Sequence, residues 1–258
     1  MWIFPLAAML VSGLFSGVVG RQYRRRRSPA LLSWSVALFL FGIASACDFI
    51  GTFSGWSSYI AKIYFLTGAT VVVGYLGLGT MYLLAPQRVA RAWLAFMLIA
   101  TVAGVIFLSA ASVDAKVLSS AAEPGWKAIR QPWPLAALVV SVNSLGTLIL
   151  VGGAVFSAVF RRYPLANALI AGGALITASG GTLARFGHYQ FQEIGQAAGI
   201  TVMFAGFLLT VSRNKQAPGQ PAAGRSASPR RKRPTGRRKR TRGKDPRSGI
   251  YQGKHYRR

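Results

Sequence analysis

Seven stretches of this chain contain no Asp, Glu, Lys or Arg, and they dictate its architecture: 1–20, 28–47, 63–87, 92–113, 131–160, 163–184 and 194–212, each 19 to 30 residues long. A helix needs about 20 mostly apolar residues to cross roughly 30 Å of hydrocarbon at about 1.5 Å per residue. Backbone N–H and C=O groups in lipid find no water, so a spanning segment must pair them itself, as a helix or within a closed barrel. Barrel strands are about 10 residues long with alternating polarity, and Leu145-Gly-Thr-Leu-Ile-Leu-Val-Gly-Gly-Ala154 has no such alternation. The expected fold is therefore all-α: a polytopic bundle of seven transmembrane helices over 1–212. The next longest charge-free run, 49–61, has 13 residues and reads as a turn between the second and third helices. Run 1–20 has neither the basic start nor the A-x-A site of a secretory leader, so it reads as the first helix.

The charges between the runs give an orientation. Arg21, Arg24, Arg25, Arg26 and Arg27, then Arg88 and Arg91, then Arg161 and Arg162 follow the first, third and fifth runs with no acid among them. The opposite ends carry Lys62, Lys116, Lys127, Arg130 and Arg185 against Asp48, Asp114, Glu123 and Glu193. An excess of Lys and Arg marks the cytoplasmic side, which predicts an outer N-terminus and a cytoplasmic C-terminus. Trp2, Trp56, Trp126 and Trp133 then fall at outer ends and Trp34 and Trp93 at inner ends, as an interfacial aromatic belt requires. Arg outnumbers Lys 23 to 8, a usage that points to a GC-rich bacterial genome and hence to the inner (plasma) membrane.

Overall the chain carries 31 Lys+Arg against 5 Asp+Glu, a net charge of +26, although 52% of it is hydrophobic. Residues 213–258 hold 17 of the basic side chains and 1 acidic one. Such a segment cannot bury enough apolar surface to offset the entropy of folding, and reads as a disordered cytoplasmic tail. Its densest clusters are Arg230, Arg231, Lys232 and Arg233, then Arg237, Arg238, Lys239, Arg240 and Arg242. Anionic lipid head groups attract such clusters at about 1 kcal/mol per basic residue near the surface. Another polyanion would attract them without sequence preference.

Small residues recur inside the apolar runs. Gly13 and Gly17, and Gly195 and Gly199, have G-x-x-x-G spacing, while Gly172, Gly173, Gly180 and Gly181 mark the sixth run. Such strips let helices approach closely, within the bundle first and between two copies in a homodimer second. Phe15-Ser-Gly-Val-Val-Gly-Arg21 echoes Phe156-Ser-Ala-Val-Phe-Arg-Arg162 at an offset of 141. A parallel repeat of three helices, a linker helix and three helices is one way small-solute transporters are built.

Reactive groups are scarce. The sequence has no phosphate-loop motif, no H-E-x-x-H, no second cysteine beside Cys47, and no lysine in the last run. Thr177-Ala-Ser-Gly180 looks like a nucleophile turn, but His188 lies nine residues further along the same expected helix, about 13.5 Å of rise against the ~3 Å that proton transfer needs. No catalytic residue, metal ligand or cofactor site is assigned. Asn143 and Asn167 read as hydrogen-bonding groups between helices. One constellation remains: Asp48, Lys62, Arg185, His188 and Glu193 all fall near the outer surface, with Arg185 and His188 three apart on one helix face. Charged groups in a membrane are costly and tend to pair or to line wet cavities. Three roles are open to the five: ion pairs closing the bundle, a polar pocket for a small ligand, and a carboxylate-centred site acting on lipid.

With seven helices placed, the chain resembles a broad group of bacterial seven-helix integral membrane proteins and, more thinly, the seven-transmembrane input regions of sensor histidine kinases. The likeness rests on the arginine-rich first loop with Ser33-Trp34, on Lys62-Ile-Tyr-Phe-Leu66 leading to Leu76-Gly-Leu-Gly-Thr-Met-Tyr82, and on Asn143-Ser-Leu-Gly-Thr147 and Val202-Met-Phe-Ala-Gly-Phe207. It implies a non-enzymatic sensor or membrane-organising protein, here without the kinase domain. A small-solute transporter and an intramembrane lipid-modifying enzyme are the alternatives. Deleting residues 216–258 is expected to abolish low-salt binding of the detergent-solubilised protein to anionic vesicles, measured by cosedimentation.

Overall fold

The computed structural model describes residues 2–119, 124–160 and 164–216. Among them seven long helical runs follow one another: α1 (Ile3–Arg26), α2 (Pro29–Ser54), α3 (Ser58–Leu84), α4 (Gln87–Ala110), α5 (Trp133–Phe160), α6 (Pro164–Arg185) and α7 (Gln190–Gln216). The connection from α4 to α5 adds single turns at Ala115–Leu118 and Gly125–Ala128 and one antiparallel bridge between Val113 and Ile129. Five of the helices, α1 to α5, are long and apolar enough to cross a membrane, and α6 holds a shorter apolar stretch, Ala168–Ala184. The chain is a polytopic membrane protein.

The helices outrun the charge-free stretches. α1 continues through Arg21 to Arg26, and α7 continues to Gln216. Arg, Lys and Gln are good helix formers, so a charge past the hydrocarbon does not end a helix. The same extension carries α2 through Asp48 to Ser54. Stretch 49–61, expected as a turn, is mostly helical; the turn shrinks to residues 55–57, set by Gly55 at φ +97° and by Ser57, whose hydroxyl accepts from the Ile60 N–H at 3.3 Å. Asp48 is consequently two turns inside a helix rather than at its end.

Packing follows chain order. α1 lies on α2, α2 on α3, α3 on α5, α5 on α6, α6 on α7, and α7 closes the ring on α1, while α4 stands outside against α3 and α5. The most buried of the five spanning helices is α3: 61% of its apolar window is buried, against 22–44% for the other four. Exposed apolar side chains such as Leu14, Phe39, Ile99 and Leu148 cover the perimeter, as a lipid-facing surface requires.

Midway along α3 the backbone relaxes into a π-helix at Phe65–Val71. A π-turn loosens the i→i−4 ladder, and carbonyls released in a dry bundle need new donors. Side chains supply them. Asn143 Nδ2 on α5 donates to the Ala69 carbonyl at 2.7 Å and to Val139 on its own helix at 2.8 Å. Just beyond the π-turn, Trp93 Nε1 on α4 reaches the Gly74 carbonyl at 3.1 Å and Trp34 Nε1 on α2 reaches that of Leu76 at 3.1 Å. Asn143 thus bonds between helices as expected. Trp34 and Trp93, expected at the inner ends, donate their indole N–H groups to carbonyls of α3. Trp2 and Trp133 are exposed and suit the belt.

Glycines decide where helices touch. A Cβ on Gly173 of α6 would lie 2.5 Å from the Gly199 carbonyl of α7, one on Gly180 would lie 2.6 Å from the Phe191 carbonyl, and one on Gly195 would lie 3.0 Å from Gly180 Cα. On the other side of the ring, a Cβ on Gly146 of α5 would sit 2.9 Å from the Val73 carbonyl of α3. Gly195 and Gly199 therefore serve the intramolecular α6–α7 contact, whereas Gly13 and Gly17 on α1 have open space beside them. Replacing Gly199 with Val should cost about 1–3 kcal/mol through overpacking and replacing Gly17 with Ala no more than about 0.5 kcal/mol, both measured by thermal unfolding in detergent.

Candidate functional site

While α6 and α7 close on their glycines, helices α2, α3, α5, α6 and α7 part around a cavity of about 610 Å³. That volume lies within the range of small-molecule sites, about 300–1,000 Å³. Along α5 the wall runs from Ala136 to Val151, about 22 Å at 1.5 Å per residue. Most of the lining is apolar, including Leu38, Val72, Leu76, Val139 and Ile200, with Asn143, Ser144, Thr147 and Thr177 as polar groups along its length, and none of the lining residues is charged. Toward the arginine-bearing end, Phe15, Leu38, Phe41, Val72, Met203 and Phe207 pack into one apolar cluster.

Polar groups gather at the opposite end of the wall. The Tyr64 hydroxyl from α3 accepts from Gln192 Nε2 at 2.5 Å and from Gln196 Nε2 at 3.4 Å, both on α7. Gln192 and Gln196 are four apart, so one face of α7 presents both amides. The α4–α5 connection covers this end: Gly125, Ala128 and Ile129 are buried, and Trp126 and Gln131 reach the cavity wall. The segment is held by Asp114 N–H to Ala128 C=O at 2.8 Å and Arg130 N–H to Ser112 C=O at 3.0 Å. Trp56 stands edge-on to Tyr64, with ring centroids 5.6 Å apart. Its indole fills the space beside both Gly51 and Gly125, where a Cβ would overlap it. The buried Trp126 Nε1 has no hydrogen-bond partner among the described residues.

Two carboxyl groups stand beside this polar end, off the cavity wall. Asp48 is 5% exposed and follows Ala44, a wall residue, by one helical turn. Its Oδ2, the Ser45 hydroxyl and Glu193 Oε2 are buried without a hydrogen-bond partner among the described residues. Glu193 adjoins Gln192 in α7, whose amide bonds the Tyr64 hydroxyl.

The five charged residues singled out from sequence are thus distributed unequally. Asp48 and Glu193 each have a buried carboxyl oxygen without a hydrogen-bond partner among the described residues. Lys62 turns away, donating from Nζ to the Ser109 carbonyl at 3.0 Å, because the unpaired carbonyls at the C-terminus of α4 form a negative end for a cation. His188 is exposed on the turn that Gly187, at φ +94°, makes after α6, and its ring meets Phe191 edge-on at 6.1 Å. The Arg185 side chain lies outside the described residues, as do Asn167's and the tail clusters Arg230, Arg231, Lys232, Arg233, Arg237, Arg238, Lys239, Arg240 and Arg242. Ser179 is exposed and donates to the Leu175 carbonyl at 2.8 Å. No trio of His, Cys, Asp or Glu among the described residues is placed to hold a metal ion.

Charge-based reading passed over Tyr64, Trp126, Gln131, Gln192 and Gln196. The available signal was the i, i+4 glutamine pair flanking Glu193 in an otherwise apolar helix start. No family model matches the chain, and neither a curated protein nor a solved structure is similar to it. Replacing Tyr64 with Phe removes the acceptor of two half-buried amide donors and should cost about 0.5–1.5 kcal/mol of stability, read by thermal unfolding in detergent.

Proposed function

We propose that this polytopic protein is a seven-helix, non-enzymatic sensor of the bacterial plasma membrane that takes a small, largely apolar molecule into the cavity among α2, α3, α5, α6 and α7. The cavity carries this reading: a 610 Å³ space with a mostly apolar wall and with amides and a phenol at one end is the pattern of a ligand site. In this reading α6 and α7 also span, the N-terminus is outside, and the arginine-bearing ends of α1 and α4 face the cytoplasm. The polar end then opens outward, and the basic tail is left inside to contact anionic lipid or a partner. A catalytic role is less well supported, since neither Asp48 nor Glu193 is on the wall where a substrate would touch it.

A second reading, a small-solute transporter, draws on the ring. α3 packs on α5 as α7 packs on α1, so α1–α3 and α5–α7 occupy corresponding arcs of the ring, with α4 as the linker.

One experiment tests both. In a Cys47→Ala background, Ser144→Cys places a thiol on the cavity wall and Ile99→Cys places one on the exposed face of α4. The sensor reading expects a membrane-impermeant thiol reagent to modify position 144, and not 99, in right-side-out vesicles only. Modification of 144 from both sides would favour the transporter. Protection of 144 in both vesicle orientations would overturn the cavity as a ligand site.

A further inference from the structure

The cavity wall is unevenly covered. None of its residues on α2, α3 or α7 is exposed; the exposed ones are Val140 and Ser144 of α5, Ala178 and Thr182 of α6, and Gln131 just before α5. Val140 is 53% exposed, against 3% for Tyr64 and 4% for Val72 across the ring. Residues four apart share a helix face, so α5 and α6 each bring one exposed stripe to the wall. Counted from the connection between Phe160 and Pro164, the α5 stripe lies about 24–30 Å away and the α6 stripe about 21–27 Å, at 1.5 Å per residue. The two stripes thus stand at one height, in the half of the bundle that holds the polar end. Exposed apolar side chains flank them, Leu148 on α5 and Leu175 and Leu183 on α6, as on a surface that faces hydrocarbon. The Thr182 hydroxyl is spent on the Ala178 carbonyl of its own helix at 2.9 Å. By contrast, the polar end of the cavity is covered by the α4–α5 connection, where Gly125, Ala128 and Ile129 are buried.

We infer that α5 and α6 part along these stripes into a slot between the cavity and the outer half of the bilayer, and that the ligand is a single-chain amphiphile with an uncharged, hydroxyl-bearing head, taken sideways from the membrane. This deepens the sensor reading and rests on it. Lateral entry leaves the covering segment in place. It also keeps the head at the level of the exposed Gln131 while the chain passes between the stripes. Inside, the wall on α3 runs from Tyr64 to Leu76, about 18 Å, a path for an extended chain rather than a compact solute. The head meets neutral groups. Gln192 and Gln196 each give an amide N–H to Tyr64, and each amide also has a carbonyl oxygen and a second N–H, an acceptor and a donor for a hydroxyl. No wall residue is charged, and a charged head would be costly at that depth.

The test uses a monoacylglycerol with a photoactivatable diazirine near the end of its chain, mixed into phosphatidylcholine nanodiscs that hold the full-length protein, with labelled residues located by mass spectrometry. Labelling is expected at Val72 and its neighbours on the α3 wall, and excess unlabelled monoacylglycerol should suppress it. Labelling at Ile99, on the exposed face of α4, should not be suppressed. The fatty acid and the alkyltrimethylammonium of the same chain should compete at least about tenfold more weakly. Ala178→Trp puts a ring into the slot and should lower labelling of the α3 wall roughly tenfold, as overpacking of the route requires. Should that variant fail to fold, Val140→Trp on the opposite rim carries the same expectation. Unsuppressed labelling, equal competition by the charged analogues, or undiminished α3 labelling in the folded variant overturns the proposal and leaves the cavity reading standing. Absence of α3 labelling overturns it as well, including where a second copy of the chain covers the slot, and thiol modification at position 144 then decides the cavity reading separately.

Discussion

Everything in this bundle hangs on how α3 disposes of its carbonyl groups. A helix surrounded on most sides by other helices, in a medium without water, cannot leave an acceptor unmet. The π-turn at Phe65–Val71 lies in the middle of the most buried spanning helix, with the Ala69 acceptor inside it and the Gly74 and Leu76 acceptors just beyond. Donors reach α3 from three directions: Asn143 from α5, Trp93 from α4 and Trp34 from α2. Each bond is worth little in isolation, about 0.6 kcal/mol on average between membrane helices. Together they fix the rotation of α3 against three neighbours, and so decide which of its faces looks into the cavity. Phe65, Gly68 and Ala69 of the π-turn are on that wall.

Opposite this polar scaffold, α6 and α7 are joined by a different device. Their glycines bring backbone against backbone at Gly173–Gly199 and Gly180–Gly195, where dispersion replaces hydrogen bonding as the cohesive term. The ring is therefore pulled tight along one seam and held apart by larger side chains elsewhere. A closed ring with one short seam leaves space inside, and the cavity is the geometric remainder of that unequal packing.

Sequence reasoning placed the helices well because hydrocarbon thickness is a length constraint that composition alone can express. It erred where chemistry inside the helix set the outcome. Asp48 was expected at an interface, because a carboxylate looks like an end; the helix runs on past it to Ser54. Lys62 was grouped with Asp48 on membrane depth, yet a helix C-terminus at Ser109 claims it. Tyr64, Gln192 and Gln196 carry no charge and stand in apolar surroundings, so no contrast in the sequence marks them. Their meeting across 128 and 132 residues depends on the ring closing, which is a tertiary event. The π-turn was equally hidden, since Phe65–Val71 is compositionally indistinguishable from the α-helix around it.

Trp56 converts static packing into mechanical linkage. Its indole occupies the space beside Gly51, three residues beyond Asp48 in α2, and also the space beside Gly125 in the segment over the polar end. One ring is therefore seated in two notches, one on a rigid helix and one on a loop. A side chain added at either glycine would displace the ring from both, so the packing of the loop and that of the helix bearing Asp48 share one residue.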